Sequence, residues 1–124
     1  MLPMGIPMAG FEEWAVLQRL HDGTGKSKLV KNLYYHSEEG TIYTVPRGFI
    51  TDLASVPRIL WPMFPPYDNY ASAAVLHDHL YTIKTLKRKE CDLLLLEAMS
   101  HSNVPKWKCR AVYLAVRLFG GRHY

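Results

Sequence analysis

The sequence predicts an α+β fold, a small antiparallel three-stranded sheet followed by a bundle of three longer helices. Three observations carry that expectation. β-branched and aromatic residues crowd the stretch before residue 46 and alternate with glycine-bearing turns. Beyond residue 69, apolar residues recur at helical spacing. Pro105 and Gly120-Gly121 stand where a last helix would start and be capped.

In chain order, residues 14–20 and 29–36 are expected strands around the turn Asp22-Gly23-Thr24-Gly25. A second turn, Glu38-Glu39-Gly40, leads to the strongly β-prone Thr41-Ile42-Tyr43-Thr44-Val45. Together these make a meander, which Pro46-Arg47-Gly48 ends and Phe49-Ile50-Thr51 extends. Ser55-Val56-Pro57 has the form of an N-cap with proline in the first turn of a short helix to about residue 61. The proline-rich run from Trp61 to Pro66 stops it. Three longer helices are expected at 69–83, 88–101 and 105–119.

At 124 residues the chain has the length of one domain, 1–124, with 1–12 as an irregular N-terminal arm. Apolar residues make up 48%, an ordinary globular proportion. The net charge of +4 gives weak attraction to nucleic acid or anionic lipid, which a solvated surface explains equally well, and no specific nucleic-acid partner is predicted. The N-terminus lacks a basic region and is broken by Pro3 and Pro7, so no signal peptide is expected. No apolar run approaches the ~20 residues of a membrane span. Cys91 and Cys109 would sit about five residues out of register in an antiparallel helix pair, so both are expected to be reduced and buried, as suits an intracellular protein.

His77-Asp78-His79-Leu80-Tyr81 sets three ionisable groups in a row inside an apolar segment whose Leu76, Leu80 and Ile83 form a helix stripe. His77 and Tyr81 share a face one turn apart, with Asp78 beside them. A carboxylate and an imidazole next to a core stripe are costly to desolvate unless paired or metal-bound. Asp92 falls on the stripe of Leu95, Leu96 and Met99, where it either bonds backbone amides of its first turn or pairs with a buried cation or imidazole. Asp52 is either an Asx-turn residue or a loop carboxylate offered to the same site. Arg110 and Arg117 share a face of the last helix, and one could pair with Asp78 or Asp92, locking the cluster together without catalysis. Gly25-Lys26-Ser27 lacks the glycine five residues earlier that a phosphate loop needs, and a strand follows it, so it is a hairpin turn.

Val45-Pro46-Arg47-Gly48-Phe49-Ile50-Thr51-Asp52-Leu53-Ala54-Ser55-Val56-Pro57, His77-Asp78-His79-Leu80-Tyr81 and the closing Ala111–Gly121 segment resemble a family of unknown function encoded mainly by tailed phages and prophages. That resemblance, over roughly residues 29–122, implies a protein of the host cytoplasm or the phage virion. Its partners would be other phage structural proteins or a bacterial host component. A remoter likeness joins His77-Asp78-x-x-Tyr81 and Asp92 to small prokaryotic phospholipases A₂. It implies His77 as general base, Asp92 as its orienter, and Asp78 as ligand of a divalent metal, calcium first and zinc second. Asp52 and the turn to Ser55 would complete the metal site, with Tyr81 and Arg117 in support. The expected activity is metal-assisted hydrolysis of an ester or lipid. The alternative is a non-enzymatic virion-associated or accessory protein in which the cluster is structural and Trp61, Phe64, Pro65, Pro66, Tyr67 and Tyr70 form a docking surface; a host-directed binding protein is a third reading.

Overall fold

A computed structural model describes residues 9–51, 71–119 and 121. The α+β class is as the sequence predicts, with strands first and helices after. Six short strands, β1 (Gly10–Phe11), β2 (Leu17–Arg19), β3 (Ser27–Leu29), β4 (Leu33–His36), β5 (Ile42–Val45) and β6 (Ile50–Thr51), make two antiparallel three-stranded sheets rather than one meander. One sheet runs β1-β4-β5 and the other β2-β3-β6. Gly10–Phe11, within the expected irregular arm, pairs with β4 as an edge strand.

The stretch 29–36 is divided for a physical reason. Side chains alternate along a strand, so an unbroken one would place Lys31 on the same face as Leu29, Leu33 and Tyr35, all buried. The chain breaks instead, and Lys31 turns out to pair with exposed Glu13. Leu29 then bonds Phe49 and Gly48, while Val30 bonds back to Val16. The β2–β3 hairpin closes through Leu20 N–H to the Lys26 carbonyl at 2.9 Å, with Gly23 and Gly25 at φ +80° and +74°. These left-handed positions are what the two glycines supply.

Three helices follow, α1 (Ala71–Ile83), α2 (Arg88–Ser100) and α3 (Lys106–Phe119), each within two residues of the expected bounds where those are described. The expected helix at 55–61 lies outside the described residues. α1 is the central element and packs on β4, β5 and β6 as well as on α2, which in turn packs on α3. Its buried side chains run from Ser72 through His77 and again at Leu80 and Tyr81, whereas Ile83 is exposed at the end of the expected stripe. One apolar cluster joins Leu29, Tyr35 and Val45 to Leu76, Leu95 and Val112. Both cysteines are free and buried. Among the described residues no helix is long and apolar enough to cross a membrane.

The Tyr35 hydroxyl, on β4, donates to the Glu97 carboxylate on α2, tying the first sheet to the helices. Burial and the hydrogen bond to Glu97 push the Tyr35 phenol well above its ordinary range, so it stays a donor. Tyr35→Phe is expected to lower stability by about 1 kcal/mol, the typical net value of such a bond, read as a lower chemical-denaturation midpoint with an unchanged slope.

Candidate functional site

Each of the three helices contributes to one polar cluster. His77 comes from α1, Asp92 from α2 and Arg117 from α3, with Tyr81 one turn beyond His77. His77 Nε2 lies 2.7 Å from Asp92 Oδ1, and the Tyr81 hydroxyl donates to the same oxygen. Arg117 Nη1 donates to Asp92 Oδ2 at 2.8 Å. The rings of His77 and Tyr81 sit 4.1 Å apart between centroids, as one-turn spacing on a single helix face requires. His77 and Asp92 are both 0% exposed, while Arg117 is partly exposed and carries the cluster toward the surface.

Burial raises the Asp92 carboxyl, but hydrogen bonds from His77, Tyr81 and Arg117 outweigh it and hold the group below its ordinary value of 3.8. Asp92 is therefore ionised and accepts only. It follows that His77 Nε2 carries a proton and donates it. His77 Nδ1, buried, has no hydrogen-bond partner among the described residues. In the neutral ring that nitrogen is a lone-pair acceptor. Tyr81 is pushed up by burial and by its bond to Asp92, so it too remains a donor. Helix-start capping falls to Glu90, whose carboxylate accepts the Lys87 N–H at 3.2 Å, and Asp92 is left to the cluster.

Next to this cluster, Asp78 accepts a hydrogen bond from the Thr51 hydroxyl at the end of β6, so the second sheet touches the site. Asp78 is only partly buried. Arg88, at the start of α2, donates through Nη2 to the carbonyls of Val116 and Arg117, both at 2.7 Å, closing the C-terminal end of α3. Its positive guanidinium opposes the rise of the Tyr81 phenol. Among the described residues no group of three or more His, Cys, Asp or Glu converges on one point. Zinc needs three or four such side chains, and that set is not present among them. A hard cation held largely by carbonyls and water is compatible with Asp78 as a single carboxylate ligand.

Of the residues expected at the site, His77, Asp92, Tyr81 and Arg117 are brought together, with Asp78 next to His77 in the chain. Asp52 and Ser55 lie outside the described residues, as does the expected aromatic docking surface at Trp61, Phe64, Pro65, Pro66, Tyr67 and Tyr70. Arg117, not Arg110, is the arginine that pairs, and its partner is Asp92; Arg110 is exposed. His79 meets Phe49 edge-on at 5.0 Å, and His101 bonds Glu38 at 2.8 Å, both apart from the cluster. Thr51 and Arg88 were not anticipated. A threonine in a β-prone run and an arginine at the start of a helix carry no local sign of the partners that tertiary packing gives them.

The chain belongs to the DUF1353 family, whose description is a protein of unknown function, and the match covers residues 27–116. It is also similar to an uncharacterized protein, y4jT, of Sinorhizobium fredii (strain NBRC 101917 / NGR234), 28% identical over 95 residues. That alignment takes in 75% of this chain and 28% of the relative, so the chain spans little more than a quarter of the relative's length. No solved structure matches at significance.

Because the folded-state pKa of Asp92 is depressed, its contribution to stability is present above the unfolded value of 3.8 and is lost as pH falls through the lower folded value. Asp92→Asn is expected to cost about 3 kcal/mol near neutrality, the lower end of the range for breaking a buried pair. The difference in unfolding free energy between wild type and Asp92→Asn should shrink as pH falls below 3.8, measured by denaturant titrations at stepped pH.

Proposed function

We propose that this protein is a metal-assisted hydrolase of an ester or lipid bond, with His77 as general base. One observation carries the reading: a buried imidazole whose Nε2 is held by an ionised carboxylate and whose Nδ1 has no partner among the described residues. In this reading His77 Nδ1 takes a proton from water as the water oxygen bonds to the substrate carbonyl carbon. Asp92, bonded at Nε2–H, fixes the tautomer and stabilises the imidazolium that forms. Tyr81 and Arg117 keep Asp92 oriented and anionic. The proton then passes to the departing alkoxide as the C–O bond breaks. A calcium-like ion at Asp78, when bound, would supply positive charge for the oxyanion. The resemblance to phage and prophage proteins supports a phage-encoded protein of the host cytoplasm or virion, with phage structural proteins or a host component as partners.

A second reading, of a structural cluster in a non-enzymatic accessory protein, is favoured by the complete burial of both His77 and Asp92. The two readings separate in His77→Gln. Glutamine can still donate to Asp92 and nearly fills the space, but it offers no base. The catalytic reading expects hydrolysis of phospholipid and short-chain ester substrates in calcium by the wild type, a loss of about 10²–10⁴-fold in the variant, and a melting midpoint close to wild type. It also expects calcium to raise the midpoint of wild type but not of Asp78→Asn, by several degrees at about a hundred times the dissociation constant. Hydrolysis that survives His77→Gln, or a wild type inactive on the panel and unmoved by calcium, magnesium, manganese or zinc, would leave the structural reading.

A further inference from the structure

Beside the break between β3 and β4 lies a cavity of about 370 Å³, lined by Glu12, Glu13, Lys31, Asn32, Tyr34 and Arg47. Two of the segments around it link one sheet to the other: Lys31 and Asn32 join β3 to β4, and Arg47 joins β5 to β6. None of these side chains belongs to the cluster around Asp92. The volume stands at the small end of the range for ligand sites, the size of an amino acid rather than of a nucleotide or a lipid.

Arg47 is held at this cavity by its backbone. Phe49 N–H donates to the Pro46 carbonyl at 3.2 Å and Gly48 N–H to the Leu29 carbonyl at 2.7 Å. Gly48 sits at φ +89°, the left-handed position that such a turn gives to glycine. Arg47 N–H donates to Asn32 Oδ1 at 2.8 Å. A backbone N–H only donates, so the oxygen of Asn32 faces Arg47 and its amide nitrogen faces the Tyr34 hydroxyl, 3.0 Å away. The Tyr34 oxygen therefore accepts that bond and keeps its own proton to donate.

Two charges of each sign line the cavity, and they are not all matched. Glu13 pairs through Oε2 with Lys31, and Glu12 through Oε2 with His36. Among the described residues the Arg47 guanidinium pairs with neither carboxylate, and Oε1 of Glu12 and of Glu13 accepts no hydrogen bond. One side of the lining thus offers a guanidinium and a phenolic O–H, and the other offers carboxylate oxygens. A plain anion would meet Glu12 and Glu13, and a plain cation would meet Arg47 and Lys31. A small ligand that carries both signs satisfies both sides. The Tyr34 ring and the aliphatic stems of Lys31 and Arg47 add an apolar wall.

We propose that this cavity binds a free α-amino acid with an apolar side chain. Its carboxylate lies against the Arg47 guanidinium, which can take it bidentately, and the Tyr34 hydroxyl. Its ammonium group lies against Glu12 and Glu13. The site is independent of the chemistry at His77.

The test titrates the full chain with L-leucine and L-phenylalanine by calorimetry near neutrality. N-acetyl-L-leucine, which keeps only the negative charge, and L-leucinamide, which keeps only the positive one, are titrated beside them. At least one of the two amino acids is expected to bind, and each singly charged relative of leucine to bind at least tenfold more weakly than leucine. Arg47→Met keeps the stem and the backbone N–H but removes the charge. It should weaken amino-acid binding at least tenfold while leaving the melting midpoint unchanged, since the Arg47 side chain is exposed. Tyr34→Phe should weaken binding severalfold. A blocked relative that binds as tightly as leucine would make this a site for a simple anion or a simple cation and overturn the proposal. Binding indifferent to Arg47→Met, or no binding of either amino acid at millimolar concentration, would overturn it as well.

Discussion

The ionised, fully buried carboxylate of Asp92 is the constraint around which the helices are arranged. A charge without access to water needs donors on both oxygens, and it finds them on two neighbouring helices. His77 and Tyr81 of α1 converge on one oxygen and Arg117 of α3 takes the other, so α1 and α3 are both registered against α2. Sliding any one helix by a single residue, about 1.5 Å along its axis, would lengthen at least one of these bonds past its useful range. Apolar packing brings the helices together but tolerates many registers. The directional bonds to Asp92 select among them.

The sheets reach the same centre from the other side. β6 ends at Thr51, whose hydroxyl meets Asp78, and β4 delivers Tyr35 to Glu97 on α2. Because the stretch 29–36 breaks instead of running through, its first half can pair with β2 and β6 while its second half pairs with β1 and β5. With the strands so divided, β6 brings Thr51 to α1 while β4 brings Tyr35 to α2. Turning Lys31 out to solvent is thus coupled to the shape of the floor on which α1 rests.

How much of this is legible in the sequence depends on the range of the interaction that decides it. The helices are, because apolar periodicity, Pro105 and the glycines near 120 act within a few residues. The pairing of His77 with Asp92 is partly legible: a carboxylate on a buried stripe must have a partner, and few candidates exist. Tyr81 follows from one-turn spacing. The choice of Arg117 over Arg110 is not, since both share one helix face and only the placement of α2 distinguishes them. The division of the strands was hidden for a related reason. Local propensity favours β throughout 29–36, and only competition for the buried face reveals that Lys31 cannot stay in line. Ile83 shows the opposite error, a stripe continued one turn past the core that gives it meaning.

α3 shows how a short helix can serve two faces at once. Its inward residues close the core and Arg117 holds Asp92, while Leu114 and Leu118 face outward. Arg117 belongs geometrically to both faces, yet its guanidinium is committed to a buried anion at 2.8 Å. Turning it out toward solvent would leave Asp92 short of a donor, a cost that a solvent-screened surface ion pair cannot offset.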